Sequence, residues 1–309
     1  MPVSTIDTAF AKQYGSMLYV LAQQFGSKLQ ACVRNEPLKN AEECYFDTIG
    51  TVAAQKKTSR HGPTPNNEQT HGRRRATPDD YNTNSFIDNE DLLKTIVDPT
   101  STFARTQAAA LGRAKDDLII EAALGTAYIG KTGAASVAFK DDARSMNGDG
   151  TITSLGTLAA VATITHTTLA KILAMLQIFN EEDVDGDIPK FWITSPLEVS
   201  YILDLLEVGS SEYNTARPLV EGKMGIFGGF TWIMSNRLTK DAVGSTGWRT
   251  FAWAKDGLLL AVAKEIRSRV DERTDLSYSR QVYSEMSMGA VRMEGAKVHE
   301  ALMKVAAAA

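Results

Sequence analysis

Between Ala53 and Ser85 the chain carries no apolar cluster, only polar, Gly and Pro residues with scattered alanines, as in Gln55-Lys56-Lys57-Thr58-Ser59-Arg60-His61-Gly62-Pro63-Thr64-Pro65 and His71-Gly72-Arg73-Arg74-Arg75. A segment of this length buries too little apolar surface to offset its own ordering, so a compact domain rarely contains one unless another molecule orders it. It leaves a β-like run, Cys44-Tyr45-Phe46-Asp47-Thr48-Ile49-Gly50-Thr51-Val52, and returns through Tyr81-Asn82-Thr83-Asn84-Ser85-Phe86-Ile87. The reading is a long two-stranded loop directed away from the body. A lone hairpin is marginal in water and needs a neighbour to lie on. The loop is also basic: Lys56, Lys57, Arg60, Arg73, Arg74 and Arg75 face only Glu68 among nearby acids, on a chain whose formal net charge is −4. A basic arm on an acidic chain gives each copy both complementary surfaces, which favours contact between copies over the gripping of phosphates. The arm lacks the interleaved aromatic residues that stack bases.

Within the first 32 residues, Ile6, Phe10, Tyr14, Met17, Leu18, Leu21, Phe25 and Leu29 recur at steps of three and four, an amphipathic helix weakened at Gly15 and Gly26. Its stripe has no obvious internal partner, so Phe10, Tyr14, Met17, Leu21 and Phe25 join the six basic residues as candidate contacts between subunits. Asp98-Pro99 supplies an N-cap and a first-turn proline. A helix is expected from there to about Leu124, with Phe103, Gln107, Leu111, Ala114, Leu118 and Ala122 on one face and Gly125 as its stop. Residues 126–164 read as loops and short strands. Leu169, Ile172, Leu173, Leu176 and Phe179 restore helical spacing. Lys190–Thr194 reads as a strand, and Ser195-Pro196-Leu197-Glu198 as a capping box opening a helix to about Val208. Beyond it the period is two, in Gly229–Ser235, in Trp248–Ala254, and after the turn Lys255-Asp256-Gly257 in the return strand Leu258–Ala263. Ile266 with Val270, and Tyr278 to Met293, continue as long strands.

No run approaches the roughly 18–20 apolar residues of a membrane helix, and the N-terminus lacks the basic-then-apolar layout of a secretion signal. The expectation is a cytosol-like compartment, with Cys32 and Cys44 as free thiols. Gly125-Thr126-Ala127-Tyr128-Ile129-Gly130-Lys131-Thr132 satisfies the phosphate-loop pattern G-x-x-x-x-G-K-[ST]. That chemistry needs the loop to join a buried strand to a helix N-terminus, and here a helix precedes it and no helix start follows. Asn147-Gly148-Asp149-Gly150 and Glu181–Asp187 read as solvated turns, since Trp192 stands where a calcium loop needs a bidentate Glu. His61, His71, His166 and His299 fall at no zinc-binding spacing. No catalytic residue, cofactor or metal site is assigned.

The order of these features, a helical arm, an extended loop, one long helix, an α/β block and a return through long strands, resembles the major capsid proteins of tailed bacteriophages with the HK97-type fold. The likeness covers nearly the whole chain. Asp117-Leu118-Ile119-Ile120-Glu121-Ala122-Ala123-Leu124-Gly125, Val220-Glu221-Gly222-Lys223-Met224-Gly225-Ile226-Phe227-Gly228-Gly229-Phe230 and Gly289-Ala290-Val291-Arg292 look similar locally. The resemblance implies an α+β chain made of an N-arm (1–44), an extended E-loop (45–90), a P-domain whose first part (91–135) holds a long spine helix, an A-domain (136–264) and P-domain return strands (265–309). It also implies a non-enzymatic, self-assembling subunit. Copies would form pentamers and hexamers and then an icosahedral shell around double-stranded DNA, without sequence-specific contacts or a membrane. Scaffolding and portal proteins would assist, with a decoration protein as a further candidate partner. The location implied is the virion, and the host cytoplasm during assembly. The arm begins almost at once, so a separate scaffolding protein or an upstream segment is expected. The alternatives are an encapsulin-like nanocompartment shell of the same fold and, from a different class, a P-loop nucleotide-binding protein.

Overall fold

The computed structural model describes residues 20–38, 41–60, 62, 64, 66–88, 100–157, 164–208, 225–240 and 247–304. In chain order the elements are β1 (Arg34–Pro37), β2 (Cys44–Ile49), β3 (His71–Ala76), β4 (Asp79–Ile87), α1 (Thr100–Leu124), β5 (Ala127–Ile129), β6 (Ala135–Val137), α2 (Phe139–Asp142), β7 (Ser145–Met146), α3 (Leu169–Glu181), β8 (Lys190–Thr194), α4 (Pro196–Val208), β9 (Ile226–Phe227), β10 (Phe230–Met234), β11 (Gly247–Ala254), β12 (Leu258–Arg273), β13 (Ser279–Arg292) and β14 (Val298–Lys304). They divide into two compact units.

The larger unit takes residues 27–79, 115–264 and 288–309. Its main sheet is six-stranded, in the order β7-β14-β11-β8-β10-β9. β8 and β10 run parallel with Trp192 opposite Trp232, and the two indoles stack at 4.7 Å. Each indole keeps its N–H satisfied, Trp192 by the Thr250 hydroxyl and Trp232 by the Phe227 carbonyl. Ile172, Met175, Ile178 and Phe179 of α3 pack onto this layer with Phe230 and Met303. Full burial of each such side chain contributes about 1.5–3 kcal/mol. The Gly228-Gly229 pair, both at positive φ, forms the two-residue turn from β9 to β10. The capping box at α4 forms by half. The Glu198 N–H does donate to Ser195 Oγ, but the Glu198 carboxylate turns to the Thr167 N–H and hydroxyl at 2.6 Å each and to His166 at 2.8 Å.

Residues 255–257 form a single 3₁₀ turn, but β12 does not return alongside β11. β11 pairs with β8 and β14, whereas the first residues of β12 pair in parallel with β1. Leu258, Leu259, Leu260 and Ala261 are all buried, which requires cover on both faces. A run buried on both faces and a hairpin strand look alike over so short a stretch.

The smaller unit takes described residues 20–26, 80–88, 100–114 and 265–287, with parts of α1, β4, β12 and β13. Gln107 fixes helix to strands here. Its amide donates to Ser85 Oγ and to the Val282 carbonyl, both at 3.0 Å, and accepts from Ser284 Oγ at 2.9 Å. Ser284 in turn pairs with Ser268 Oγ at 2.8 Å. The buried amide thus has both donors and its acceptor engaged.

The expected helix ends at Leu124, before Gly125 as predicted, but its buried face differs from the predicted one. Gln107 and Leu111 are buried as expected; beyond them the stripe passes through Lys115, Asp116, Ile119, Ile120, Ala123 and Leu124 instead of Ala114, Leu118 and Ala122. Two polar residues face inward because they serve residues 27–30 of the arm segment. Asp116 accepts from the Ser27 hydroxyl and from the Lys28 and Leu29 N–H groups, and Lys115 donates to the Gln30 side chain at 2.9 Å.

Candidate functional site

The polar stretch is a hairpin, though not the one expected. β2 pairs antiparallel with β3, in register from Cys44 opposite Ala76 to Ile49 opposite His71, and β4, predicted as the returning strand, lies in another sheet beside β13. A run of three arginines carries no alternation of apolar residues, so its strand character comes from its partners. Asp47 stands directly opposite Arg73 and binds it at 2.5 Å, with the Arg73 guanidinium 5.7 Å from the centre of the Tyr45 ring. The hydrogen bond from Arg73 holds the Asp47 carboxyl below its ordinary range. Arg75 binds Glu43 at 2.9 Å and lies 4.7 Å over the ring of Tyr128 in β5.

Beyond these strands the two legs remain joined. The Gly50 N–H donates to the Thr70 carbonyl at 2.8 Å, and Asn67 bridges the legs by donating to the Ala53 carbonyl and accepting from the Gln55 amide. Distal to that bridge lie Lys56, Lys57 and Arg60, all exposed and, among the described residues, in no ion pair. The six basic residues thus divide: three are held within the chain, and three are offered to solvent. At the base of the hairpin a groove of about 1130 Å³ is lined by Asp47, His71, Arg73, Arg74, Lys131 and Glu294 among others.

The third arginine, Arg74, belongs to a buried cluster that sequence reading did not anticipate. It donates to Asp142 at 2.7 Å and to the Met293 carbonyl at 3.1 Å. Asp142 also accepts from Arg292 at 2.8 Å, and Arg292 is fully buried. Arg292 Nη1 then caps the long helix, donating to the carbonyls of Ala123 at 2.9 Å and Gly125 at 2.8 Å, a cation placed where the helix dipole is negative. Its guanidinium lies 5.1 Å from the centre of the Phe139 ring. Burial lowers the Arg292 pKa from its ordinary value, and the bond to Asp142 opposes that shift. One carboxylate therefore ties the hairpin strand β3 to the end of β13 and, through Arg292, to the end of α1. Gly295 passes so near α2 that a Cβ there would meet the Asp142 carbonyl at 1.7 Å.

Of the arm candidates, Phe10, Tyr14 and Met17 lie outside the described residues. Leu21 is 80% exposed and Phe25 is 49% exposed, with the Arg105 guanidinium 4.7 Å from the centre of the Phe25 ring. The expected helix is not formed over 20–29; only a 3₁₀ turn at Gln30–Cys32 appears. Gly26 adopts φ +78, which interrupts helical geometry, and its backbone comes so near Gly112 that a Cβ there would meet it at 2.8 Å.

The phosphate-loop pattern falls on the end of α1, the strand β5 and the turn to β6, where the Gly133 N–H donates to the Gly130 carbonyl. No helix N-terminus follows Lys131, so the N–H groups a phosphate needs do not converge. Asp149 accepts from the N–H and hydroxyl of Thr151, and Asp185 from the Asp187 N–H, both local turn bonds. Among the described residues no three His, Cys, Asp or Glu side chains are placed to hold a metal. No helix among them is long and apolar enough to cross a membrane. Cys32 and Cys44 are free thiols, and burial pushes both pKa values up, away from reactive thiolates.

Residues 6–305 match the family model of the phage capsid protein. No curated protein matches the chain. Among solved structures, the capsid of Ralstonia phage GP4 aligns with a TM-score of 0.71 at 13% identity over 100% of both chains. The capsid of cyanophage P-SCSP1u aligns with a TM-score of 0.71 at 14% identity, over 96% of this chain and 94% of that one. The capsid asymmetric unit of cyanophage Pam1 aligns with a TM-score of 0.67 at 12% identity over 100% of both.

Proposed function

Because this chain belongs to the phage capsid protein family and is a structural major capsid protein of the HK97-type fold, we propose that its basic hairpin is the strap by which one subunit holds the next. It is part of the virion, in a shell built from copies of itself. On this reading subunits form pentamers and hexamers that close into an icosahedral shell around double-stranded DNA. Assembly takes place in the host cytoplasm with a scaffolding protein and a portal, and a decoration protein is a further candidate partner. No enzymatic step is assigned to it. Its parts are an N-arm (1–44), an E-loop (45–90), a P-domain (91–135 and 265–309) and an A-domain (136–264), with β14 entering the sheet that the A-domain segment supplies.

The observation that carries this reading is the division of the basic residues. Arg73, Arg74 and Arg75 fix the base of the hairpin to its own chain, while Lys56, Lys57 and Arg60 project from a tip with no core of its own. Charges held on a built support and left unpaired are placed for a partner surface, and an acidic chain offers one on every copy. The arm residues Phe10, Tyr14, Met17, Leu21 and Phe25 are proposed as a second contact. Replacing residues 56–66 with a short Gly-Ser link, distal to the Gln55–Asn67 bond, leaves β2 and β3 in place. The expected result is a soluble subunit with unchanged circular dichroism that no longer yields closed particles by negative-stain microscopy. Normal particles from that variant would refute the assignment.

A further inference from the structure

We propose that the outer edge of β12 from Ser268 to Glu272 pairs antiparallel with the same edge of a second copy, about a two-fold axis at Val270. Along its first residues this edge is covered by β1, in register from Arg34 opposite Leu259 to Pro37 opposite Val262, and the Leu38 N–H closes that ladder on the Val262 carbonyl at 2.7 Å. Beyond that point, among the described residues, no strand lies on the outer edge, because β13 takes the other side. All six residues from Arg267 to Glu272 are exposed, and Val270 is 48% exposed. A long exposed edge strand presents unpaired N–H and C=O groups and serves as a template for another strand.

The charges on this edge say which strand fits. The Ser268 hydroxyl reaches the buried Ser284, so alternate residues Arg267, Arg269 and Asp271 share the opposite face. Among the described residues Arg267, Arg269 and Asp271 form no ion pair, whereas Arg273 is held by Asp275 at 2.7 Å and by Gln281 at 3.0 Å. Setting Val270 opposite Val270 places Arg269 opposite Asp271 twice, on one face, with Ser268 opposite Glu272. Moving the axis to Arg269 or to Asp271 sets that charge against its own copy, whereas the axis at Val270 brings Arg267 only against Arg273, whose charge Asp275 already balances, so the pattern favours this register. The same patch thus serves both partners, as a closed two-fold contact requires.

The inference rests on the shell-building reading only for supplying the second copy, and it is separable from the basic strap. The test uses the full-length chain with Arg269→Glu, Asp271→Arg and the double exchange, followed by sedimentation velocity and negative-stain microscopy, with circular dichroism as the control for folding. Each single variant sets like charges opposite each other twice, and the expected result is loss of closed particles with accumulation of smaller oligomers. The double exchange restores the pairing and regains particles. Wild-type assembly by either single variant, or a folded double variant that assembles no better than the singles, overturns the proposal. Failure of the loop replacement alone leaves this edge standing, and the reverse also holds.

Discussion

Asp142→Asn isolates the one carboxylate on which the hairpin base depends. In the native chain its oxygens accept from Arg74 at 2.7 Å and Arg292 at 2.8 Å, and the three side chains are 13%, 12% and 0% exposed. An amide retains the shape, but it removes the charge and can offer an acceptor to only one of the two guanidinium groups. Two cations then remain in a site with little water and no counter-charge. Breaking a buried pair by removing one partner costs about 3–5 kcal/mol, because the remaining charge is left uncompensated. The slight exposure of Asp142 and Arg74 places the expected loss at the lower end, about 3 kcal/mol, or roughly a hundredfold in the folding equilibrium. Urea denaturation of unassembled subunits reads this directly as a lower midpoint at unchanged slope. Arg292→Met in the same background removes one of the stranded cations and should recover part of the loss, so the two changes are less than additive. A single-variant loss below about 1 kcal/mol would refute the view that Asp142 carries two buried cations, as would strict additivity.

Two further outcomes follow from the interior. Gln107→Ala leaves Ser85 Oγ, the Val282 carbonyl and the buried Ser284 hydroxyl without the amide they share, and it opens a cavity. The expected cost is about 2–3 kcal/mol by urea denaturation, and a neutral result would mean that water replaces the amide. His299 is buried with its Nε2 bonded to the Ala296 carbonyl, and burial holds its pKa down at about 4. Between pH 6.5 and 4 the unfolded chain binds a proton there that the native chain refuses, so stability falls on acidification, by about 3 kcal/mol at pH 4. His299→Gln should flatten the stability profile in that window relative to the wild type; an unchanged slope would remove His299 as the cause.

Where a segment's period is set by its own burial, the residues announce the element. α3 forms where the spacing predicts a helix, although it buries Ile172, Met175, Ile178 and Phe179 and leaves the predicted Leu169 and Leu173 exposed; β10 keeps its alternation, whereas β11 is buried on both faces from Thr250 to Ala254. The family likeness is legible for the same reason, since order and type of elements survive at 12–14% identity to solved capsids. The inner face of α1 is legible only to Leu111, because Lys115 and Asp116 are buried for hydrogen bonds to residues 27–30 that lie far away in sequence. No periodicity can report a polar residue whose partner is distant.

The hairpin strand β3 shows the limit from the opposite side. His71-Gly72-Arg73-Arg74-Arg75-Ala76 reads as loop because only Ala76 is apolar, yet each arginine has a separate anchor: Asp47 across the strand, Asp142 in α2, and Glu43 with the ring of Tyr128. Sequence gathers the six basic residues into one cluster of a single character. The fold separates them by whether a carboxylate lies within reach, and the separation follows position along the hairpin, base against tip. A basic tip with no partner on its own chain is useful only if its base does not yield when a neighbour pulls on it. Two of the base arginines are largely buried and the third is half-buried against an exposed Asp47, and surface pairs such as Arg73 with Asp47 contribute at most about 1 kcal/mol. Resistance to such a pull must therefore come from Arg74, Asp142 and Arg292, together with the small apolar cluster of Ala76, Leu259, Ala261 and Val291 beneath them. This is why the Asp142 variant should weaken assembly as well as the subunit, whereas Asp47→Asn should leave both nearly unchanged.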